Sequence, residues 1–176
     1  MAALQAGVWG VGSLLLLSAA AMAADEPAQE ASESAPPSLP EPANGVAYPQ
    51  GWQDWALVSV SHRTDNATMR VILGNDTAIE AIRAGQTNPW PEGSVLGKVV
   101  WKAVSLADWS SAQAPGTFVH AEFMFKGEGQ ADTGWRWARW VGEAQTPYQL
   151  SETECVACHS PVKGRDWVFT TPAPLP

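Results

Sequence analysis

Ser94-Val95-Leu96-Gly97-Lys98-Val99-Val100-Trp101-Lys102-Ala103-Val104 is a run of branched, aromatic and small side chains with almost no breaker. Such a composition favours extended backbone. Two runs of the same kind follow it, Thr117–Lys126 (TFVHAEFMFK) and Gly134–Gly142 (GWRWARWVG). Two precede it. Trp55–His62 (WALVSVSH) alternates large apolar with small or polar residues, and Thr68–Leu73 follows the turn Arg63-Thr64-Asp65-Asn66. All five are local and joined by short connections, which suits antiparallel pairing. One short helix is expected between the second and third runs, over Asn75–Gly85. Thr77 and Glu80 there have capping-box spacing, and Gly85 stands where a helix stops. Asn88-Pro89-Trp90-Pro91-Glu92-Gly93 is a loop rich in breakers. The expected class is α+β and β-rich, an antiparallel sheet of about five strands with a few short helices.

The whole chain has 176 residues, of which 45% are hydrophobic and 16% charged, enough for one ordinary domain. Its net charge of −8 disfavours a partner with a phosphate backbone, so no nucleic acid is expected. The acidity is uneven. Asp25, Glu26, Glu30, Glu33 and Glu41 precede residue 45 with no Lys or Arg among them, whereas the remainder carries 13 acids and 10 bases. Nine of the ten tryptophans lie after residue 50. Only two cysteines are present, three residues apart, which excludes a disulfide framework.

Residues 7–21 (GVWGVGSLLLLSAAA) form an apolar run too short for a convincing membrane span. Ala21-Met22-Ala23 has the small-x-small pattern of an export cleavage site. Residues 1–23 are therefore expected to be a signal peptide, although no Lys or Arg precedes the run. The alternative is an uncleaved anchor holding the same domain on the same side. Residues 24–44 (ADEPAQEASESAPPSLPEPAN) contain five acids, five prolines and no aromatic residue. That composition reads as a disordered, acidic, Pro-rich linker. The folded domain is expected over 45–176.

Cys155-Val156-Ala157-Cys158-His159 carries the chemistry. C-x-x-C-H places two thiols to add to the two vinyl groups of one haem, with the adjacent imidazole set to ligate the iron. Two other readings compete. A thioredoxin-like redox pair would follow the first strand of a βαβ unit, but this motif lies near the C-terminus after several strands. A zinc knuckle would need further ligands, and only His62 and His120 remain, at spacings unlike those of zinc sites. Covalent haem c through Cys155 and Cys158, with His159 as proximal iron ligand, is the expectation.

A strand-rich, Trp-rich body ahead of a C-terminal haem motif resembles the cytochrome P-460 family, including its cytochrome c′-beta branch. The likeness covers residues 45–176. It rests on Trp52-x-x-Trp55, on Pro91-Glu92-Gly93-Ser94-Val95-Leu96-Gly97-Lys98, on Ala121-Glu122-Phe123-Met124-Phe125-Lys126, on the haem motif, and on Asp166-Trp167-Val168-Phe169-Thr170, in that order. The resemblance implies a compact antiparallel sheet, commonly dimeric, with a five-coordinate iron open on its distal side. In the catalytic branch a lysine is bonded to the macrocycle and hydroxylamine is oxidised to nitrogen oxides. In the c′-beta branch the crosslink is absent and an apolar pocket binds nitric oxide.

By that resemblance Lys98 stands in the crosslinking position. It shares a strand face with Leu96, Val100, Lys102 and Val104, where an ammonium is costly to bury. The other reading is that Lys98 reaches the edge, or pairs with a haem propionate or with Glu122. Phe118, His120, Glu122 and Met124 share a face of the fourth run. If that face lines the pocket, Glu122 is a candidate proton acceptor, since burial raises a carboxyl pKa, and His120 could assist it. Against this stand a salt bridge from Glu122 to Arg136 or Arg139 and a hydrogen-bonded sheet histidine. His62 is expected in solvent. Met69 and Met124 are expected in the core rather than on iron. Trp101, Trp135, Trp137, Trp140 and Trp167 are expected to wall the haem or a dimer interface, or to be ordinary core. Lys163 and Arg165 are candidate propionate partners. The sequons at Asn66 and Asn75 are discounted, because covalent haem on an exported chain points to a bacterial periplasm.

Three functions follow as expectations. The first is a periplasmic mono-haem enzyme oxidising hydroxylamine and passing electrons to a periplasmic acceptor. The second is a nitric oxide binder without turnover. The third is an electron carrier with both axial positions filled. A homodimer is implied by the resemblance alone, and no membrane span is expected once the signal is cleaved.

Overall fold

A computed structural model describes residues 39–127, 132–149 and 151–174. The signal segment, and the linker up to residue 38, lie outside the described residues. The sheet has six antiparallel strands in simple sequential order: β1 (Ala56–Arg63), β2 (Thr68–Gly74), β3 (Val95–Leu106), β4 (Trp109–Lys126), β5 (Trp135–Val141) and β6 (Thr146–Pro147). The α+β, β-rich expectation holds, with one strand more than the five foreseen. That sixth strand is two residues long, too short for any periodicity to announce it. A turn of 3-10 helix (Trp52–Asp54) precedes β1. Helix α1 (Asp76–Arg83) joins β2 to β3, and helix α2 (Glu152–His159) runs into a second 3-10 segment, Ser160–Arg165.

Helix α1 starts two residues earlier than the Thr77–Glu80 capping-box reading suggests. Asn75 is the N-cap, its side-chain oxygen accepting from the Ala78 N–H at 3.0 Å and from the Val95 N–H at 2.9 Å. Two acceptances by one side chain fix the helix start to the start of β3. The C-terminus closes as expected at Gly85, whose φ of +68° is the left-handed conformation glycine adopts without a Cβ penalty. Gln86 N–H reaches Ala81 carbonyl at 2.8 Å and Gly85 N–H reaches Ile82 carbonyl at 3.1 Å, the paired bonds of a Schellman cap.

The β3–β4 hairpin is longer than the sequence suggests. Pairing continues through Ala103↔Pro115, Val104↔Ala114 and Ser105↔Gln113 to Leu106↔Trp109. The expected strand started only at Thr117, because the preceding SSAQAPG is small, polar and broken by proline. Those residues form a two-stranded ribbon beyond the reach of β2 and β5, where solvated side chains and an edge proline are tolerated.

The sheet buries apolar side chains on both faces. The front face packs Val58, Leu96, Trp135 and Trp137 against Ala78 and Ala81 of α1, Trp90 of the loop, and Val168 of the C-terminal segment. The back face packs Ala121, Phe123, Ala138 and Trp140 under Val46, with Tyr48, Trp52 and Trp55 around them. Phe123 is the hub there, meeting Tyr48, Trp52 and Trp140 edge-on with ring centroids 5.9 Å apart. The linker boundary needs correction: Leu39–Asn44 is docked. Leu39 packs on the back core, Trp140 Nε1 donates to the Pro40 carbonyl at 3.0 Å, and Asn44 Nδ2 donates to the Trp137 carbonyl at 2.9 Å. Composition hides this, since the indole and the backbone acceptor come from β5, far along the chain.

Gly97 gives a test of this packing. A Cβ at that position would lie 2.9 Å from the Phe123 ring, which is wedged among other aromatic rings. Gly97→Ala is expected to cost about 1–3 kcal/mol through overpacking. Urea unfolding should show a lower midpoint with unchanged slope, and an unaltered midpoint would refute the tight back core.

Candidate functional site

The front face carries a row of polar side chains in strict cross-strand register. Ser59 of β1 faces Ile72 of β2, Ile72 faces Lys98 of β3, Lys98 faces Glu122 of β4, and Glu122 faces Arg139 of β5. The adjoining row is Ser61, Arg70, Val100 and His120. Lys98 and Glu122, singled out on separate strands, are thus direct neighbours. Lys98 Nζ forms an ion pair with Glu122 Oε2. Arg139 Nη2 holds Glu122 Oε1 at 2.6 Å, and His120 Nε2 lies 3.3 Å from the same oxygen. Of the two arginines considered for Glu122, Arg139 is the partner. Arg136 points to the other side of β5, where its Nε lies 3.6 Å from Glu152 Oε1 at the start of α2.

This cluster favours the ion-paired reading of Glu122. Burial alone pushes the Glu122 carboxyl up. The charges of Lys98 and Arg139, with a smaller contribution from His120, outweigh it, so the carboxyl stays below its ordinary value. Glu122 is a charged carboxylate at neutral pH rather than a proton-holding acid. His120 is the opposite case: burial drives its pKa down to about 4, against the pull of Glu122, so the imidazole is neutral.

Two adjoining cavities open on the row. One, about 330 Å³, is lined by Arg70, Lys98, Glu122, Met124, His159 and Phe169 among others. The second, about 260 Å³, is lined by Lys98, Glu122, Arg139, Cys155, Cys158 and His159 among others. They share Lys98, Glu122, Trp137 and His159. Helix α2 brings the C-x-x-C-H motif over the sheet. Its N-cap Ser151 accepts from Thr153 N–H at 3.2 Å, and its first residue, Glu152, is buried beside Arg136. Neither cysteine is in a disulfide, and the two stand three positions apart on one helical face. Burial pushes the Cys155 thiol up, so it is protonated at neutral pH.

His159 is oriented by backbone. Its Nδ1 lies 2.6 Å from the Trp167 carbonyl, which leaves Nε2 as the nitrogen available to a metal. Burial holds its pKa below the usual value, partly offset by that carbonyl, so the ring is in the neutral form that binds metals. Phe169 packs edge-on against the imidazole at 5.0 Å.

Several sequence candidates lie elsewhere. Of the five tryptophans expected to wall a haem or an interface, only Trp137 lines the cavities. Trp135 is buried in the front core, Trp140 in the back core, and Trp101 faces the back. Trp167 contributes its carbonyl. Lys163 is exposed, and Arg165 Nη2 donates to the Val168 carbonyl at 2.9 Å, clamping the C-terminal segment instead of the cavity. His62 is exposed, as expected. Met69 pairs with Trp101 and faces away from the cavity, whereas Met124 lines it. Sequence reasoning missed Arg70 and Phe169. The alternation Ser59, Ser61, Arg70, Ile72 on β1 and β2 would have found Arg70, had the front face been tracked across all five strands.

The site fits a haem. Buried Arg70 Nε, Arg139 Nε and Trp137 Nε1 have no hydrogen-bond partner among the described residues, and all three side chains line the cavities. A group bearing carboxylates and an apolar body supplies both the missing acceptors and the filling. Among the described residues no set of three or more His, Cys, Asp or Glu side chains is arranged to hold a bare metal ion. The motif also follows all six strands of an antiparallel sheet, with no βαβ unit of the thioredoxin kind among the described residues.

An antiparallel sheet with a C-terminal C-x-x-C-H helix over its polar face defines a β-type haem c protein. The family model for cytochrome P460 matches residues 49–170, and the chain belongs to that family. It is a haem c cytochrome of the P460 type. A search of curated proteins found no match. Among the described residues no helix is long and apolar enough to cross a membrane.

Acidification should reveal the half-buried His120. His120 is neutral when folded and titrates near its ordinary value of 6.5 when unfolded, so the unfolded chain binds the extra proton first. Stability therefore falls as pH drops from about 6.5 towards 4, with Lys98, Arg139 and Arg70 opposing protonation and Glu122 favouring it. His120→Gln should lose less stability across this window than the parent in urea titrations at successive pH values. Equal slopes would contradict a half-buried, neutral His120.

Proposed function

We propose that the chain carries one haem c, bound through thioethers at Cys155 and Cys158 with His159 as axial ligand, and oxidises hydroxylamine to nitrogen oxides in the bacterial periplasm. The observation that carries this reading is the Lys98–Glu122–Arg139 row standing beside His159 on a shared cavity. The haem supplies the redox chemistry. Oxidation of hydroxylamine releases protons along with electrons, so a base at the pocket is required. Glu122 is the residue for that role, with His120 next to it. As an ion-paired carboxylate it is a weak base. Bonding of the Lys98 nitrogen to the macrocycle would remove one of its two cations, and burial would then push the carboxyl up into a range useful for proton transfer. Trp137, Leu96 and Phe169 limit water, and Arg70 faces developing or bound anionic groups. Electrons pass to a periplasmic one-electron acceptor, and the protein works as a homodimer after its signal is cleaved.

A second reading is supported by the Lys98–Glu122 ion pair itself. A lysine satisfied by a carboxylate has no need of a crosslink. The pocket then binds nitric oxide without turnover, as in the c′-beta branch. The electron-carrier reading has less support, since His120 is engaged with Glu122 and His62 is exposed.

Glu122→Gln separates the two. Under the catalytic reading, hydroxylamine oxidation by the haem-loaded protein falls about 100-fold or more, while nitric oxide binding is retained. Lys98→Ala should change the ferrous optical spectrum and abolish turnover. Lys98→Ala with spectrum and turnover unchanged contradicts the catalytic reading, and a parent without any turnover favours the gas binder.

A further inference from the structure

Asp166 and Trp167 are consecutive non-glycine residues with φ of +50° and +65°. A left-handed conformation costs an ordinary residue roughly 1 kcal/mol or more, and tryptophan has no side-chain oxygen to offset it. Two in succession persist only where the surroundings impose them. Here the imposing contacts converge on Asp166. Its carboxylate accepts from Lys126 Nζ at 2.7 and 2.8 Å and from the Trp90 N–H at 2.8 Å. Its carbonyl accepts from Trp135 Nε1 at 2.9 Å. Lys126 also sits 5.1 Å over the Trp135 ring. The Asp166 and Lys126 side chains are only 10% and 13% exposed, so this is an interior ion pair.

The next carbonyl along the chain, that of Trp167, is the one 2.6 Å from His159 Nδ1. The clamp on Asp166 therefore determines where that acceptor points. Arg165 holds the far side, donating to the Val168 carbonyl at 2.9 Å and to the Phe169 carbonyl. The segment between them has little freedom to turn the Trp167 carbonyl away.

We infer that Asp166 is a positioning residue for the haem iron: through its clamp by Lys126, Trp90 and Trp135 it aims the Trp167 carbonyl at His159 Nδ1 and so sets the donor strength of His159. The inference rests on His159 being the axial ligand. A hydrogen bond accepted from the distal nitrogen of a ligating imidazole makes the ring a stronger donor. A stronger donor favours ferric over ferrous iron and lowers the midpoint potential. It also stiffens the iron–histidine bond. Asp166 touches neither the cavity nor the substrate, so its effect is on the iron through His159 alone.

The test uses haem-loaded protein. The iron–histidine stretch of the ferrous form and the midpoint potential are measured for the parent, Asp166→Ala and Asp166→Asn. Asp166→Ala should lower the stretching frequency and raise the potential. Asp166→Asn keeps an acceptor for the Trp90 N–H but loses the ion pair, and should shift both in the same direction by less. If Asp166→Ala does not accumulate, Asp166→Asn decides alone, because the inference requires a shift there too. Unchanged frequency and potential in a folded variant overturn the inference while leaving the haem site intact. A parent whose iron–histidine band persists in His159→Gly overturns the ligand assignment, and the inference with it.

Discussion

Pairing of β3 with β4 and of β4 with β5 in one particular register is what the site depends on. That register sets Lys98 opposite Glu122 and Glu122 opposite Arg139. A slip by a single residue would turn Gly97 and Phe123 to the front and bury the charges in the aromatic back core. The back core prevents the slip. Phe123 fits over Gly97 because glycine has no Cβ, and its ring is gripped by Tyr48, Trp52, Trp55 and Trp140. Apolar packing on one face thus fixes the position of ionised groups on the other. The buried carboxylate is tolerable because two cations from neighbouring strands reach it.

The same sheet end positions His159. Lys126 and Trp135 are directly paired across β4 and β5, and both reach Asp166. Glu152 and Arg136 tie the start of α2 to β5, while Asn44 bonds the docked segment to the Trp137 carbonyl. Helix α2 and the C-terminal segment are therefore referred to the same two strands that carry Glu122 and Arg139. His159 approaches the polar row from above as a result, and the two cavities share both.

Strand positions were legible because alternation of branched and aromatic residues with small or polar ones is a local property. β1, β2 and β5 lie within a residue or so of where the pattern sets them. The C-x-x-C-H motif is local too, and so is the shared face of His120, Glu122 and Met124; Phe118, expected on that face, packs on the back core because a register shift after Val100↔His120 sets it opposite Trp101. Contacts between distant segments were not legible. Nothing near Asp166 announces that Lys126 and Trp135 will seize it, and nothing in a Pro-rich tail announces that Trp140 will bind the Pro40 carbonyl. The charge state of Glu122 stayed open between two readings because burial could be inferred from one strand, whereas the two cations that overrule it come from the strands on either side. The β3–β4 ribbon was missed because its outer half is solvated and has no buried face to impose a pattern.

Peptide mapping by mass spectrometry of protein made in an export-competent, cytochrome-maturing host tests the central claim most directly. The account predicts one haem carried by the peptide containing Cys155, Cys158 and His159. Any second attachment should fall on the peptide containing Lys98, the lysine that faces the shared cavities. Haem that is released without a thioether to either cysteine, or that is attached to a peptide outside the front-face cavity, would contradict the account.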